Sequence, residues 1–149
     1  MEMNILLAYI GIALLAGGSF VASAIAVTIC GQTVIGAMKK RPEAFGTYLV
    51  LSALTTSQGI YGLVGFFLLR GYLVPDITFV QASAIFGVGL LMAVAGIFAN
   101  VGQAKICANG IEATASGHNV TANTLIMAAF PETFGIFSLL VTLLVAFAL

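Results

Sequence analysis

One carboxylate stands where a carboxylate is hard to keep. Glu132 is the only ionisable residue of the stretch 122–149. That stretch is long enough to cross a bilayer, which takes roughly 20 apolar residues. A charged carboxylate at that depth is disfavoured by at least about 2.5 kcal/mol. The group must therefore be protonated, hold a cation or meet a partner. With no ion to carry, it would be a protonated side chain that merely hydrogen-bonds between helices.

Other oxygen-bearing side chains fall at the same level. The stretch 45–69 is polar in its middle, where Leu54, Ser57, Gln58 and Tyr61 follow a spacing of i, i+3, i+4 and i+7. On a continuous helix these share one face. Gln103 precedes the turn residue His118 by about four helical turns, and Glu132 follows it by about the same. Ser57 and Gln58 follow Pro42, in the other polar turn, by a matching stretch of chain. At the rise of an α-helix all four sit about 20 Å from the turns.

The donors so collected are the Glu132 carboxylate, the Ser57 hydroxyl, the Gln58 and Gln103 amide oxygens, and the Leu54 backbone carbonyl. The carbonyl is included because a nearby Ser or Thr can loosen a helical hydrogen bond. All are hard oxygen ligands. One carboxylate balances one unit of charge, which points to Na⁺ or a proton rather than Ca²⁺ or Mg²⁺. A proton needs only the carboxyl and one acceptor, so two glutamines and a serine favour Na⁺, with H⁺ as the alternative. Tyr61 fits a supporting role, holding the carboxylate in place.

The elements that position these groups are membrane helices. The 149 residues are 61% hydrophobic and 7% charged, with a mean hydropathy of +1.16. A water-soluble domain of this size could not cover itself with so few charges. The fold class is all-α: an integral membrane protein of four helices over about 4–37, 45–69, 77–115 and 122–149. The net charge is zero, which gives no sign of a nucleic-acid partner. Trp is absent, and Tyr9, Tyr48 and Tyr72 near the span ends are expected to replace the usual interfacial belt in part. Cys30 and Cys107 read as small buried hydrophobes. Ala22-Ser23-Ala24 resembles a signal cleavage site, but the region before it holds Glu2 and no Lys or Arg, so a retained helix is expected.

Small residues mark two of the helices as packing helices. Gly18, Ala22 and Ala26 recur every four residues, and Gly87, Gly89, Ala93 and Gly96 crowd the third stretch. Such spacing lets helix backbones approach in lipid. The turns carry orientation. Lys39, Lys40, Arg41 and Lys105 cluster on one side, which should be cytoplasmic, with only Arg70 on the other. Both termini then lie on the non-cytoplasmic side. Gly117-His118-Asn119 should end the third helix.

The chain also repeats itself. One register lays Thr56-Ser57-Gln58-Gly59-Ile60-Tyr61 over Glu132-Thr133-Phe134-Gly135-Ile136-Phe137. Gly31-Gln32 is matched to Gly102-Gln103 with a different offset, absorbed by a longer second turn. The expected organisation is two duplicated helical hairpins. Residues 1–74 form the first, without a membrane carboxylate. Residues 75–149 form the second, carrying Glu132.

At Pro131-Glu132-Thr133, Ser57-Gln58-Gly59-Ile60-Tyr61-Gly62 and Gly102-Gln103 the sequence resembles the duplicated four-helix proteolipid of V-type rotary ATPases, the c or K subunit of the membrane rotor, in its sodium-translocating bacterial branch. The resemblance covers nearly the whole chain. Ser57 stands where that branch has Thr, Ile60 where it has Leu, and Thr55 where a Pro is expected. By position, Glu132, Ser57, Gln58, Gln103 and the Leu54 carbonyl resemble the sodium ligands, and Tyr61 resembles the residue that hydrogen-bonds the glutamate.

The resemblance implies a homo-oligomeric ring, with helices one and three inside, in a bacterial cell membrane. It implies a stator subunit bearing an arginine, and a cytoplasmic central stalk at the polar turns. ATP chemistry would belong to other subunits, and no G-x-x-x-x-G-K-[ST] phosphate loop occurs here. A small four-helix proton-coupled antiporter is the competing class. Such a protein is expected to carry an aromatic substrate cage and its acid in an early helix.

Overall fold

The computed structural model describes residues 2–149. It contains α1 (Glu2–Met38), α2 (Phe45–Leu54), α3 (Ser57–Leu69), α4 (Phe79–Ala115) and α5 (Thr121–Ala148), with short 3-10 turns at Pro42–Ala44 and Arg70–Tyr72. Among the described residues four segments are long and apolar enough to span a membrane, and α2 and α3 together form the second. The chain is thus a multi-pass membrane protein of two hairpins. Its apolar side chains cover the outside as well as the core, with Phe98, Phe147 and Val80 among the most exposed.

α1 and α4 lie against each other over most of their length, and the glycines explain how. A methyl group at Gly11 would overlap the backbone of Ile85 and Phe86, and Gly18 leaves room for Ala93 in the same way. Gly62 and Gly65 of α3 press on Ser19 and Leu15 of α1, while Gly110 of α4 admits Thr124 of α5. The inner pair is therefore α1 with α4, and α2/α3 and α5 flank it.

Both turns close with named hydrogen bonds. Gly117 has φ +93°, a left-handed conformation that favours glycine. It ends α4, with its N–H donating to the Thr114 carbonyl (3.0 Å) and that of His118 to Ala113 (3.1 Å). The Arg41 guanidinium donates to the Thr114 carbonyl (3.3 Å), which ties the two polar turns together. At the other end of the bundle Asn4 donates to the Ile77 carbonyl (3.2 Å) and Tyr72 to that of Ala146 (2.8 Å). Thr78 caps α4, exchanging hydrogen bonds with Gln81.

Three expectations change. Tyr48 is no belt residue: it is fully buried under the polar turn, its hydroxyl donating to the Arg41 carbonyl. Gln32 is exposed, whereas Gln103 is fully buried, so the two are not structural counterparts. The second span is not one continuous helix. It breaks at Thr55 and Thr56, whose hydroxyls turn back onto the Ser52 and Ala53 carbonyls (2.8 Å each). No proline is needed: side-chain bonds of this type compete with the helical ladder. Cys30 and Cys107 are buried as expected, and both belong to the same core cluster.

Candidate ion-binding site

The break in span two builds the site. Ser57 is the first residue of α3, so the start of a helix brings its side chain to the carboxylate of Glu132. The Ser57 hydroxyl donates to Glu132 Oε2 at 2.9 Å. One turn on, the Tyr61 hydroxyl donates to Oε1 at 2.5 Å. From α4, Gln103 Nε2 donates to Oε2 at 2.8 Å and is also 3.3 Å from the Ala128 carbonyl. Three donors from two helices thus converge on one half-buried carboxylate. Glu132 itself follows Pro131, which lies inside α5 without ending it.

Gln58 behaves differently from Ser57 and Tyr61. Its side chain is fully buried, yet neither Oε1 nor Nε2 has a hydrogen-bond partner among the described residues. It is wedged between two glycines. A methyl at Gly135 would overlap its Nε2, and one at Gly96 would lie 3.1 Å from its Oε1. Gln103 Oε1 is likewise buried and without a partner. Buried amide oxygens left bare are costly, by about 1–3 kcal/mol each. The bare oxygen of Gln103, on the amide that meets Glu132, suits a positively charged guest, while that of Gln58 lies against Gly96. Leu54 is the last residue of α2, so its carbonyl belongs to the group that a helix end leaves without an intrahelical partner.

The structure brings Glu132, Ser57, Tyr61 and Gln103 into direct contact. It places the Gln58 side chain between Gly96 and Gly135, without a bond to Glu132, and Leu54 at the edge of the break.

Sequence reasoning missed the residues that hold the break open. Asn100 of α4 is buried, and its Nδ2 donates to the Thr55 carbonyl (3.0 Å). Ser23 of α1 accepts from the Gly59 N–H (2.8 Å) and donates to the Thr56 carbonyl (3.2 Å). These two side chains pair backbone groups that the interrupted helix leaves without partners. The signal was present: Asn100 is an amide one turn before Gln103 on an otherwise apolar helix face.

Fold and site together define a class: a membrane-spanning carrier of a small ion, with a carboxylate and amides enclosed by two hairpins. Comparison with known proteins gives the particular family. The family model of the ATP synthase C subunit matches this chain twice, over residues 10–69 and 86–145. The V-type sodium ATPase subunit K of Enterococcus hirae is 32% identical over 126 residues, which cover 85% of this chain and 81% of that protein. The A-type ATP synthase subunit K of Methanocaldococcus jannaschii is 34% identical over 131 residues, 88% of this chain and 59% of that longer protein. The chain belongs to the family of the ATP synthase C subunit, as an ion-carrying rotor proteolipid of the V/A-type rotary ATPases rather than a subunit that turns over ATP.

The two family matches are offset by the same amount at their starts and at their ends. This is the register that lays Thr56 over Glu132. The same constant offset sets Val27 opposite Gln103, which removes the matching of Gly31-Gln32 to Gly102-Gln103.

Proposed function

We propose that this chain carries Na⁺ across the membrane on Glu132. The carboxylate supplies the balancing charge. The Ser57 hydroxyl, the Gln58 and Gln103 amide oxygens and the Leu54 carbonyl supply the remaining ligands. Tyr61 keeps its hydrogen bond to the carboxylate and fixes its rotamer. A half-turn of the Gln103 amide exchanges its donor for its acceptor, so the group that covers the carboxylate can face an ion instead.

The observation that carries this reading is that Ser57, Tyr61 and Gln103 converge on Glu132 while the buried amide oxygens of Gln103 and of Gln58, packed against Gly135 one turn from the carboxylate, have no hydrogen-bond partner among the described residues. A proton on Glu132 can satisfy only one acceptor, and would leave the other bare. A cation takes several oxygens at once. The Enterococcus hirae relative is by name a sodium ATPase subunit.

In this reading identical copies form a ring that turns against an arginine-bearing stator. The cationic turn at Lys39–Arg41 meets the central stalk on the cytoplasmic side, in a bacterial cell membrane, and both termini face the other side. With residues 1–74 lacking a membrane carboxylate and 75–149 carrying it, each chain moves one ion per pair of hairpins.

Carbodiimide labelling of Glu132 in the purified ring tests the proposal, because the reagent attacks the protonated carboxyl. At fixed pH, Na⁺ but not K⁺ should slow the reaction, and Glu132→Gln should abolish both labelling and ion transport. Labelling that follows pH alone would make the carrier a proton and leave Gln58 and Gln103 as packing residues.

A further inference from the structure

The internal repeat gives each residue of one hairpin a counterpart in the other, and burial separates the counterparts. In the first hairpin Ala22, Ala26, Thr55 and Gln58 are fully buried, under α4 and α5. Their counterparts Phe98, Gly102, Pro131 and Phe134 line an open apolar groove of about 560 Å³ between α4 and α5. Phe98 is 76% exposed and Phe134 63%.

The covering face repeats in the same manner. α4 and α5 cover the first hairpin with Gly96, Gln103 and Glu132. The counterparts Phe20, Val27 and Thr56 are exposed on the first hairpin. The glycines agree independently. Gly11 has no room for a methyl against Phe86, while its counterpart Gly87 has nothing within 4 Å. Ala93 fills the space at Gly18, while its counterpart Gly17 has nothing within 4 Å. Each chain therefore uses one copy of a hairpin–hairpin interface internally and leaves one socket and one plug unused. Socket and plug are different surfaces, so joining them is head-to-tail, the arrangement that generates rings.

We propose that a second copy of this chain seats its Phe20–Val27–Thr56 face in the Phe98–Phe134 groove, and that this seam is the ion pocket's counterpart rebuilt as dry packing. The inference rests on the rotor-ring reading and deepens it. At the seam, Glu132, Gln103, Gln58 and Tyr61 are replaced by Thr56, Val27, Phe134 and Phe137. Two hydroxyls remain, and both are engaged on their own helices: Thr56 with the Ala53 carbonyl and Thr133 with that of Ala129 (2.9 Å). Ion pockets inside chains then alternate around the ring with aromatic seams between chains, and the seams carry no ligand set.

Cysteine cross-linking in the intact ring tests the seam. Phe20→Cys and Phe134→Cys in one chain lie on different flanks, Phe20 beside Gly59 and Phe134 in the α4/α5 groove. On mild oxidation the double variant should give a ladder of linked multimers on a denaturing gel. Neither single variant should, since like faces do not meet. Phe134→Cys alone should resist N-ethylmaleimide in the ring and react once the ring is dissociated. An intact ring without a ladder, or with a reactive cysteine at position 134, overturns the seam and leaves lipid as the occupant of the groove. A ladder from a single variant also overturns it. Failure to find any large detergent-stable species would instead refute the ring itself.

Discussion

Gly135→Ala puts the role of Gln58 to a quantitative test. A methyl at position 135 would overlap the Gln58 amide nitrogen and come within 2.7 Å of its Cδ. The obstructing atoms are the end of a flexible side chain, so the fold can yield. Gly96, on the other side, gives the amide little room, because a methyl there would already lie 3.1 Å from Oε1. The amide must therefore leave its place between Gly96 and Gly135. In the helix, Ala is favoured over Gly by about 0.5–1 kcal/mol, which offsets part of the strain. Ring stability should then change little.

Ion affinity should not escape so lightly. A polar contact to a charged group contributes about 1.5–3 kcal/mol, so on the proposed ligand set displacing the Gln58 amide should weaken Na⁺ binding about tenfold to a hundredfold. The assay is the Na⁺ concentration that half-protects Glu132 from carbodiimide, with thermal dissociation of the ring as a control. Gln58→Ala supplies the decisive comparison. If both changes act through the same amide, Gly135→Ala added to Gln58→Ala should have almost no further effect, because coupled residues do not add. A Gly135→Ala ring that keeps its Na⁺ affinity within about twofold would refute the argument, as would additive losses in the double variant.

Three further outcomes follow from the same geometry. Tyr61→Phe removes one of the three donors to Glu132 and should weaken Na⁺ protection about tenfold, with the ring's melting temperature nearly unchanged. Asn100→Leu strands the Thr55 carbonyl at the break. It should destabilise the chain by about 1–3 kcal/mol, read as earlier thermal dissociation, with Ser23→Ala showing a similar but smaller loss. Gly117→Ala forces a side chain into a left-handed turn and should lower thermal stability by about 1 kcal/mol without touching ion affinity.

Much of this architecture is legible in the sequence because its signals are local or periodic. Apolar length marks the spans, small residues at four-residue spacing mark the α1/α4 contact, and Gly117 marks the end of α4. The level of Ser57, Gln58, Gln103 and Glu132 can be read as well, since depth in a membrane helix is little more than a count of residues from the turn. Azimuth is harder. The i, i+3, i+4, i+7 spacing sets Gln58 with Ser57 and Tyr61, but in the structure Gln58 points between Gly96 and Gly135 while the other two reach Glu132.

The difference traces to the interruption at Thr55 and Thr56, and no periodicity shows that interruption because it is not decided within span two. Two threonines can bond back to their own helix anywhere in lipid, and most do so without breaking it. Here the freed backbone groups find partners on other helices, Asn100 for the Thr55 carbonyl and Ser23 for the Thr56 carbonyl and the Gly59 amide. In a medium without water to satisfy them, those groups could not have been released otherwise. The helix therefore breaks at the level of the carboxylate because α1 and α4 bring hydrogen-bonding side chains to that level. The first residue after the break is the serine that meets Glu132. The pocket is thus a product of packing between hairpins. A mutation at Asn100 or Ser23, neither of which touches Glu132, should reach the ion through the position of Ser57.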